Sequence, residues 1–374
     1  MFRTRPRSRY SNHFAEEVVR RHVEGRESYR VIAKHIYEQT GRKVSPTSLQ
    51  KTVEHLGERC KTPLEMSQEL RPQWNGFLVL DEKMCSVRGT QQWFYVALDS
   101  SGDVVHCRPV AELTVTEAHA FATEIVNSFD VAWKGIVTDL DTVLSRVVAL
   151  VFAETPHQYC LKHALAAVEE LIGYKPWIHR RIRNRDILRE QFARLPGRKG
   201  VWQQRAHDTF VASYEHSRIF SAQFKRREAL RSAVHAILFA RSEGEAQSLF
   251  RTLRHARSLD HMEKRKAVAF LRRHWIRLMA YHHLPGLPRT TNIIESFNKQ
   301  LERRFKTIEA FQHHHTARGY VNLLVAYLRQ KPYTDCRNHR KHLNGKSRLQ
   351  AAGVTGLSND WLRHALKPSV FSNR

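Results

Sequence analysis

Phe77-Leu78-Val79-Leu80-Asp81 and Gly135-Ile136-Val137-Thr138-Asp139 are the two stretches on which the fold turns. Each is a short apolar run that ends in an acid, the pattern of a buried strand delivering a carboxylate to its C-terminal end. Around them lie further strand signals. Trp93-Phe94-Tyr95-Val96-Ala97-Leu98 is a second strand, and Val104 to Val110 a third. Ser100-Ser101-Gly102-Asp103 between them reads as a hairpin turn. Val115, Ala118, Phe121, Ala122, Ile125 and Phe129 recur at helical spacing, as do Val143, Val147, Val148 and Val151. His157 to Cys160 is a last short strand.

Three hairpin strands, a helix, a strand, a helix and a strand is the order of an α/β ribonuclease H-like core, expected over 75–172. An all-α unit is expected before it, over 1–62. Phe14, Val18, Val19 and Val23 form one apolar stripe; Val31, Ile32, Ile36 and Tyr37 a second; Leu49, Val53 and Leu56 a third. Gly25 and Gly41 would close the first two helices, and Ser45-Pro46 opens the third with a cap and a first-turn proline. Short helices with Arg42, Lys43 and Lys51 on the surface suit a helix-turn-helix DNA-binding domain, with the third helix in a major groove. Residues 173–285 read as helical and charged. A long amphipathic helix and its successor fill about 290–331, and 332–374 reads as a basic, loosely packed tail.

Charge narrows the function. The 374 residues hold 62 Lys plus Arg against 36 Asp plus Glu, a net +26. A globular chain with that excess calls for a polyanionic partner, nucleic acid first. No apolar run reaches the roughly 18–20 residues of a spanning helix, so no membrane partner is expected. Five scattered cysteines fit a reducing cytoplasm better than a disulfide framework. Arg180-Arg181-Ile182-Arg183-Asn184-Arg185 is the densest basic segment. Such arginines grip phosphates without reading bases. Trp177 and Trp202 either stack on unpaired bases or are buried.

Phosphodiester cleavage must stabilise charge on both the attacking and the leaving oxygen. Two Mg²⁺ ions, for which Mn²⁺ can substitute, do this when carboxylates on rigid elements hold them. Asp81 and Asp139 are the candidates on strand ends. Glu82 and Asp141 rank below them: Glu82 would face the other side of a continuing strand, and Asp141 suits a helix cap. The third acid is Glu295, near the start of a helix with the buried stripe Ile294, Phe297, Leu301, Phe305 and Ile308. Glu295, Asn298, Lys299 and Glu302 lie on another face. Asn292-x-x-Glu295 is also a reasonable capping box, which alone would explain a Glu there.

Thr290-Thr291-Asn292-x-x-Glu295-Ser296-x-Asn298-x-x-Leu301, with Arg303-Arg304-Phe305-Lys306 behind it, resembles the DDE transposases of bacterial and archaeal insertion sequences, in particular the Mutator-like superfamily. So does Cys160-x-x-His163, twenty-one positions after Asp139 (160 − 139). The likeness covers about 75–330. It implies Asp81, Asp139 and Glu295 as catalytic metal ligands, with Cys160 and His163 in support beside the active site. It implies a helical insertion over 173–285, and 286–331 as completion of the core carrying the catalytic Glu. It also implies cleavage at the ends of a mobile element, then attack of the freed 3′-hydroxyl on target DNA. Lys51, Arg180, Arg181, Arg183, Arg185, Asn298, Arg303 and Arg304 are the expected DNA contacts. A prokaryotic, nucleoid-associated homo-oligomer is expected, since two ends must be brought together. The alternatives are a plain ribonuclease H-like nuclease and a domesticated DNA-binding protein derived from a transposase. Cys160 and His163 do not complete a tetrahedral zinc set. Consecutive His313-His314-His315 point about 100° apart on a helix and do not converge on a metal.

Overall fold

The computed structural model describes residues 10–193, 195, 201–257, 261–358 and 360–366, without the side chains of residues 176, 177, 201–203 and 339. The two roles expected of Trp177 and Trp202, the N-terminal arginines and the last stretch of the basic tail lie outside the described residues. The chain divides into two compact units, one of residues 1–157 and 286–374, the other of 158–285.

The first unit opens with helices α1 (Asn12–Val23), α2 (Tyr29–Thr40), α3 (Pro46–Glu58) and α4 (Pro63–Leu70). Each starts the same way. The hydroxyls of Ser11, Ser28, Ser45 and Thr62 accept from the N–H three residues on, satisfying a donor the first turn leaves unpaired. Gly41 closes α2 at φ 69, where a side chain would be strained. The other expected stop differs: α1 ends at Val23, and the left-handed residue beyond it is Arg26, not Gly25. Val18, Val19, Val23, Ile32, Ile36, Leu49, Val53 and Leu56 are buried, whereas Val31 and Tyr37 face solvent.

The sheet follows. Its elements are β1 (Phe77–Val87), β2 (Thr90–Asp99), β3 (Val104–Val110), α5 (Val115–Ser128), β4 (Gly135–Thr138), α6 (Thr142–Val151) and β5 (His157–Tyr159). The strand order is β3-β2-β1-β4-β5. β1 runs antiparallel to β2 and parallel to β4, so the sheet is mixed. The boundary between the two units falls within β5. One face of the sheet presents Leu78, Leu80, Tyr95, Ala97, Val105 and Ile136 to Phe121, Ala122 and Ile125 of α5 and Leu144, Val147 and Val148 of α6. Truncating one of these, such as Phe121, to Ala would cost about 3–5 kcal/mol.

One correction concerns β1. Asp81 was expected at the strand end, but the strand continues to Val87. Arg88 (φ 50) and Gly89 (φ 78) then reverse the chain in a two-residue turn that returns it as β2. The polar run Asp81-Glu82-Lys83 stays extended because Val96, Tyr95 and Phe94 pair with it on β2.

The second unit holds α7 (Leu161–Leu171), α8 (Tyr174–Ala193), α9 (Val201–Leu238), α10 (Glu243–His255) and α11 (His261–His283). Phe220, Phe224, Leu230, Val234 and Ile237 give α9 its buried stripe. Inside, the Gln158 amide donates to Leu278 O at 3.2 Å and accepts from Tyr281 N at 2.9 Å. The Tyr281 hydroxyl reaches the carbonyls of Leu238 and Ala240, both at 3.1 Å, so this buried polar cluster is satisfied.

The chain re-enters the first unit with α12 (Asn292–Ile308), α13 (His314–Gln330), a 3-10 turn at Asn338–Leu343, α14 (Arg348–Ala351) and α15 (Trp361–Ala365). α12 covers the other face of the sheet, with Phe305 stacked on Phe94 at 5.9 Å. α13 crosses α3 where Gly57 meets Gly319, and a Cβ on either would sit 2.8 Å from the other's backbone. The N-terminal helices are thereby packed into the same unit as the sheet. The segment after α13 is not the loose tail its sequence suggests. Leu349, Trp361, Leu362, Ala365 and Leu366 are buried, and Lys61 N donates to Ala365 O at 2.7 Å. Its apolar residues are few and irregularly spaced, so periodicity misses a segment that packs one short turn at a time.

Candidate active site

Pairing fixes where the two strand acids go. β1 and β4 are in register at Phe77↔Gly135, Leu78↔Ile136 and Val79↔Val137. Two residues further along parallel strands bring Asp81 beside Asp139, on the face opposite the Leu78 and Leu80 core. β4 stops at Thr138, which frees Asp139 to turn out of the sheet. Its Oδ1 accepts from Asp141 N at 2.8 Å, and Asp141 in turn caps α6 through Leu144 N at 2.9 Å. Asp141 thus has the capping role expected of it.

Glu82 joins them. Although its backbone position alternates to the other side of β1, its carboxylate meets the other two. Carboxylate oxygens of Asp81, Glu82 and Asp139 lie within 4.8 Å of one another. Burial, with Asp139, Asp81 and Asp141 nearby, pushes the Glu82 carboxyl up to about 8. Its Oε2 is buried without a hydrogen-bond partner. Three hard oxygen donors, one of them desolvated and unanswered, suit a divalent cation such as Mg²⁺ or Mn²⁺. The residue ranked as a fallback in the sequence is therefore part of the trio.

α12 flanks this group. Asn298 is buried, and its Nδ2 donates to Asp81 Oδ2 at 2.8 Å. One turn earlier is Glu295, half-buried, whose Oε1 accepts from the Thr291 hydroxyl at 3.1 Å. The expected Asn292 capping box does not form: Thr291 is the cap residue and Asn292 already lies inside the helix. One turn after Asn298, Glu302 pairs with Lys83 at 2.9 Å and Lys306 at 2.7 Å. Lys306 first and Lys83 second pull the Glu302 carboxyl down to about 2. Glu302 is thus neutralised by cations, whereas Glu82 is not.

The other expected site residues divide by burial. Lys51, Arg180, Arg181, Arg183, Arg185 and Arg303 are exposed. Arg180 and Arg181 rest over the rings of Phe220 and Phe224 at 5.8 and 4.7 Å. Arg304 is not a phosphate contact. It is buried, donating to the Tyr320 hydroxyl at 2.8 Å and to His22 O at 2.6 Å, because its position on α12 faces α1 and α13. Asn298 likewise belongs to the acidic group and not to a DNA surface. Cys160, buried, and His163, half-buried, stand at the start of α7 in the second unit. The His313, His314 and His315 run is exposed.

No protein-family model and no curated protein matches the chain.

Proposed function

We propose that the protein is a metal-dependent phosphodiester-transfer enzyme acting on DNA, of the DDE transposase type. The observation that carries this reading is the convergence of Asp81, Glu82 and Asp139 beside the end of β4. The strand order, with two antiparallel neighbours leading to a parallel one, supports a ribonuclease H-like reading of the sheet. The charge excess of +26 supports a polyanionic substrate.

Asp81 and Asp139, with Glu82, are the residues that would hold Mg²⁺, which supplies positive charge to the attacking and leaving oxygens. Asn298 orients Asp81 through its amide, and the Asp141 N–H orients Asp139. Both carboxylates are thereby held in one rotamer before substrate arrives. Glu295, tethered by Thr291, stands one turn from Asn298 and outside the trio, and would be the further acid of a transposase. A second reading, a nuclease that hydrolyses without strand transfer, is favoured by the trio being complete without Glu295.

Supercoiled-plasmid nicking with Mg²⁺ tests the proposal. Asp139→Asn should lower the rate at least about 10³-fold, which corresponds to about 4 kcal/mol. Equal nicking by wild type and variant would sink it. Glu295→Gln separates the two readings: a loss as deep as that of Asp139→Asn supports the transposase, and near-normal hydrolysis supports the nuclease.

A further inference from the structure

A groove of about 440 Å³ in the first unit gathers positive charge from three separate parts of the chain. α12 contributes Lys299 and Arg303, the turn after α1 contributes Arg26, and the segment after α13 contributes Lys331, Arg337 and Arg340. A seventh cation, Arg348, is buried at the wall, where it donates to Gly102 O at 2.6 Å and the Tyr333 hydroxyl at 3.1 Å. Two guanidiniums lie over the Tyr333 ring, Arg340 at 5.8 Å and Arg348 at 5.2 Å.

Among the described residues none of the seven forms an ion pair with a carboxylate. The one carboxylate lining the groove, Asp335, accepts from the Thr334 hydroxyl at 3.1 Å. Elsewhere in the chain arginines find partners, as Arg329 does with Asp103 and Arg227 with Glu263. Seven cations gathered around a single lining carboxylate repel one another on balance, and a bound polyanion removes that cost. Their spread over three segments suits a repeating anion better than a single small one. Lys299 and Arg303 also share α12 with Asn298, the residue bonded to Asp81. A strand gripped here is held by the same helix that braces the acids.

We propose that this groove holds the phosphodiester backbone of DNA, independent of base sequence. The proposal rests on the DNA part of the function above and not on the cleavage chemistry. Fluorescence anisotropy with a labelled DNA duplex in EDTA, across a salt series, tests it. The triple variant Arg303→Gln/Lys331→Gln/Arg337→Gln should weaken binding about tenfold or more. It should also flatten the slope of log K against log salt by about 2.7, three contacts at about 0.9 each. Unchanged affinity and slope in the triple variant would overturn the proposal. So would lost binding to phosphatidylglycerol vesicles with DNA binding intact, which would mark a membrane surface. If the triple variant does not fold, Arg337→Glu alone, at an exposed turn, should flatten the slope by about one contact, and an unchanged slope is again contrary. A triple variant that binds normally while Asp139→Asn has lost nicking sinks the groove and leaves the active site standing. A flattened slope with nicking intact in Asp139→Asn does the reverse.

Discussion

Asp103 and Glu82 are both carboxylates of the central sheet region, and the protein treats them in opposite ways. Asp103, in the turn before β3, is fully buried and fully answered. Arg329 of α13, also fully buried, grips both its oxygens at 2.8 and 2.6 Å, and Trp74 Nε1 donates to it at 3.0 Å. The remaining Arg329 donors reach Pro63 O and the Ser67 hydroxyl, so this knot ties α4, the β2–β3 turn and α13 together. Glu82, within 4.8 Å of two more acids, keeps a buried oxygen without a partner and holds its proton up to about 8. An acid whose charge the chain itself neutralises is part of the scaffold. An acid left desolvated beside its own kind is a candidate place for a cation from outside.

The largest test of that contrast is Arg329→Met. It strands Asp103 in the interior and should destabilise the protein by about 3–5 kcal/mol in urea unfolding. Asp139→Asn should cost no stability at all, since it relieves repulsion around Glu82. A stability loss from Asp139→Asn equal to that from Arg329→Met would erase the distinction.

A somewhat smaller effect appears in the pH profile. Glu82 binds its proton more tightly folded, about 8, than its ordinary 4.5. Between those values the folded state carries the extra proton, so stability falls as pH rises through that window. In EDTA the loss should be on the order of 2–4 kcal/mol, allowing for partial exposure of the side chain. Glu82→Gln should flatten it. The profile of wild type staying level from pH 5 to about 8 would show that Glu82 is solvated as an ordinary surface acid is.

The smallest effect concerns the scaffold. Gly57→Ala places a methyl 2.8 Å from the Gly319 backbone and should cost about 1–3 kcal/mol by thermal unfolding. A neutral result would mean that the α3–α13 crossing opens freely.

How much of this was legible in the sequence follows the same division. The apolar runs ending in Asp81 and Asp139 announce two strands, because burial on both faces leaves an unbroken hydrophobic run. The cap at Ser45 follows from local chemistry. What local chemistry could not show were long-range partners. Arg304 and Arg303 are adjacent and look alike, yet one is turned inward to Tyr320 and His22 and the other outward. Asn298 reads as a DNA contact until β1 places Asp81 against it. Glu82 was discounted by strand alternation, which is correct for its backbone. Its carboxylate nonetheless meets those of Asp81 and Asp139, a convergence visible only in the folded sheet.

On the proposed function, Asp81, Glu82 and Asp139 together should take a divalent cation. Calorimetric titration of Mn²⁺ at pH 7, repeated in buffers of different ionisation enthalpy, tests it most directly. Saturable binding should release about one proton per protein, because Glu82 is protonated before the ion enters and ionised after it. That binding should disappear in Asp139→Asn, and its proton release should disappear in Glu82→Gln. Mn²⁺ binding that persists unchanged in Asp139→Asn, or no saturable binding to the wild-type protein, would contradict the account.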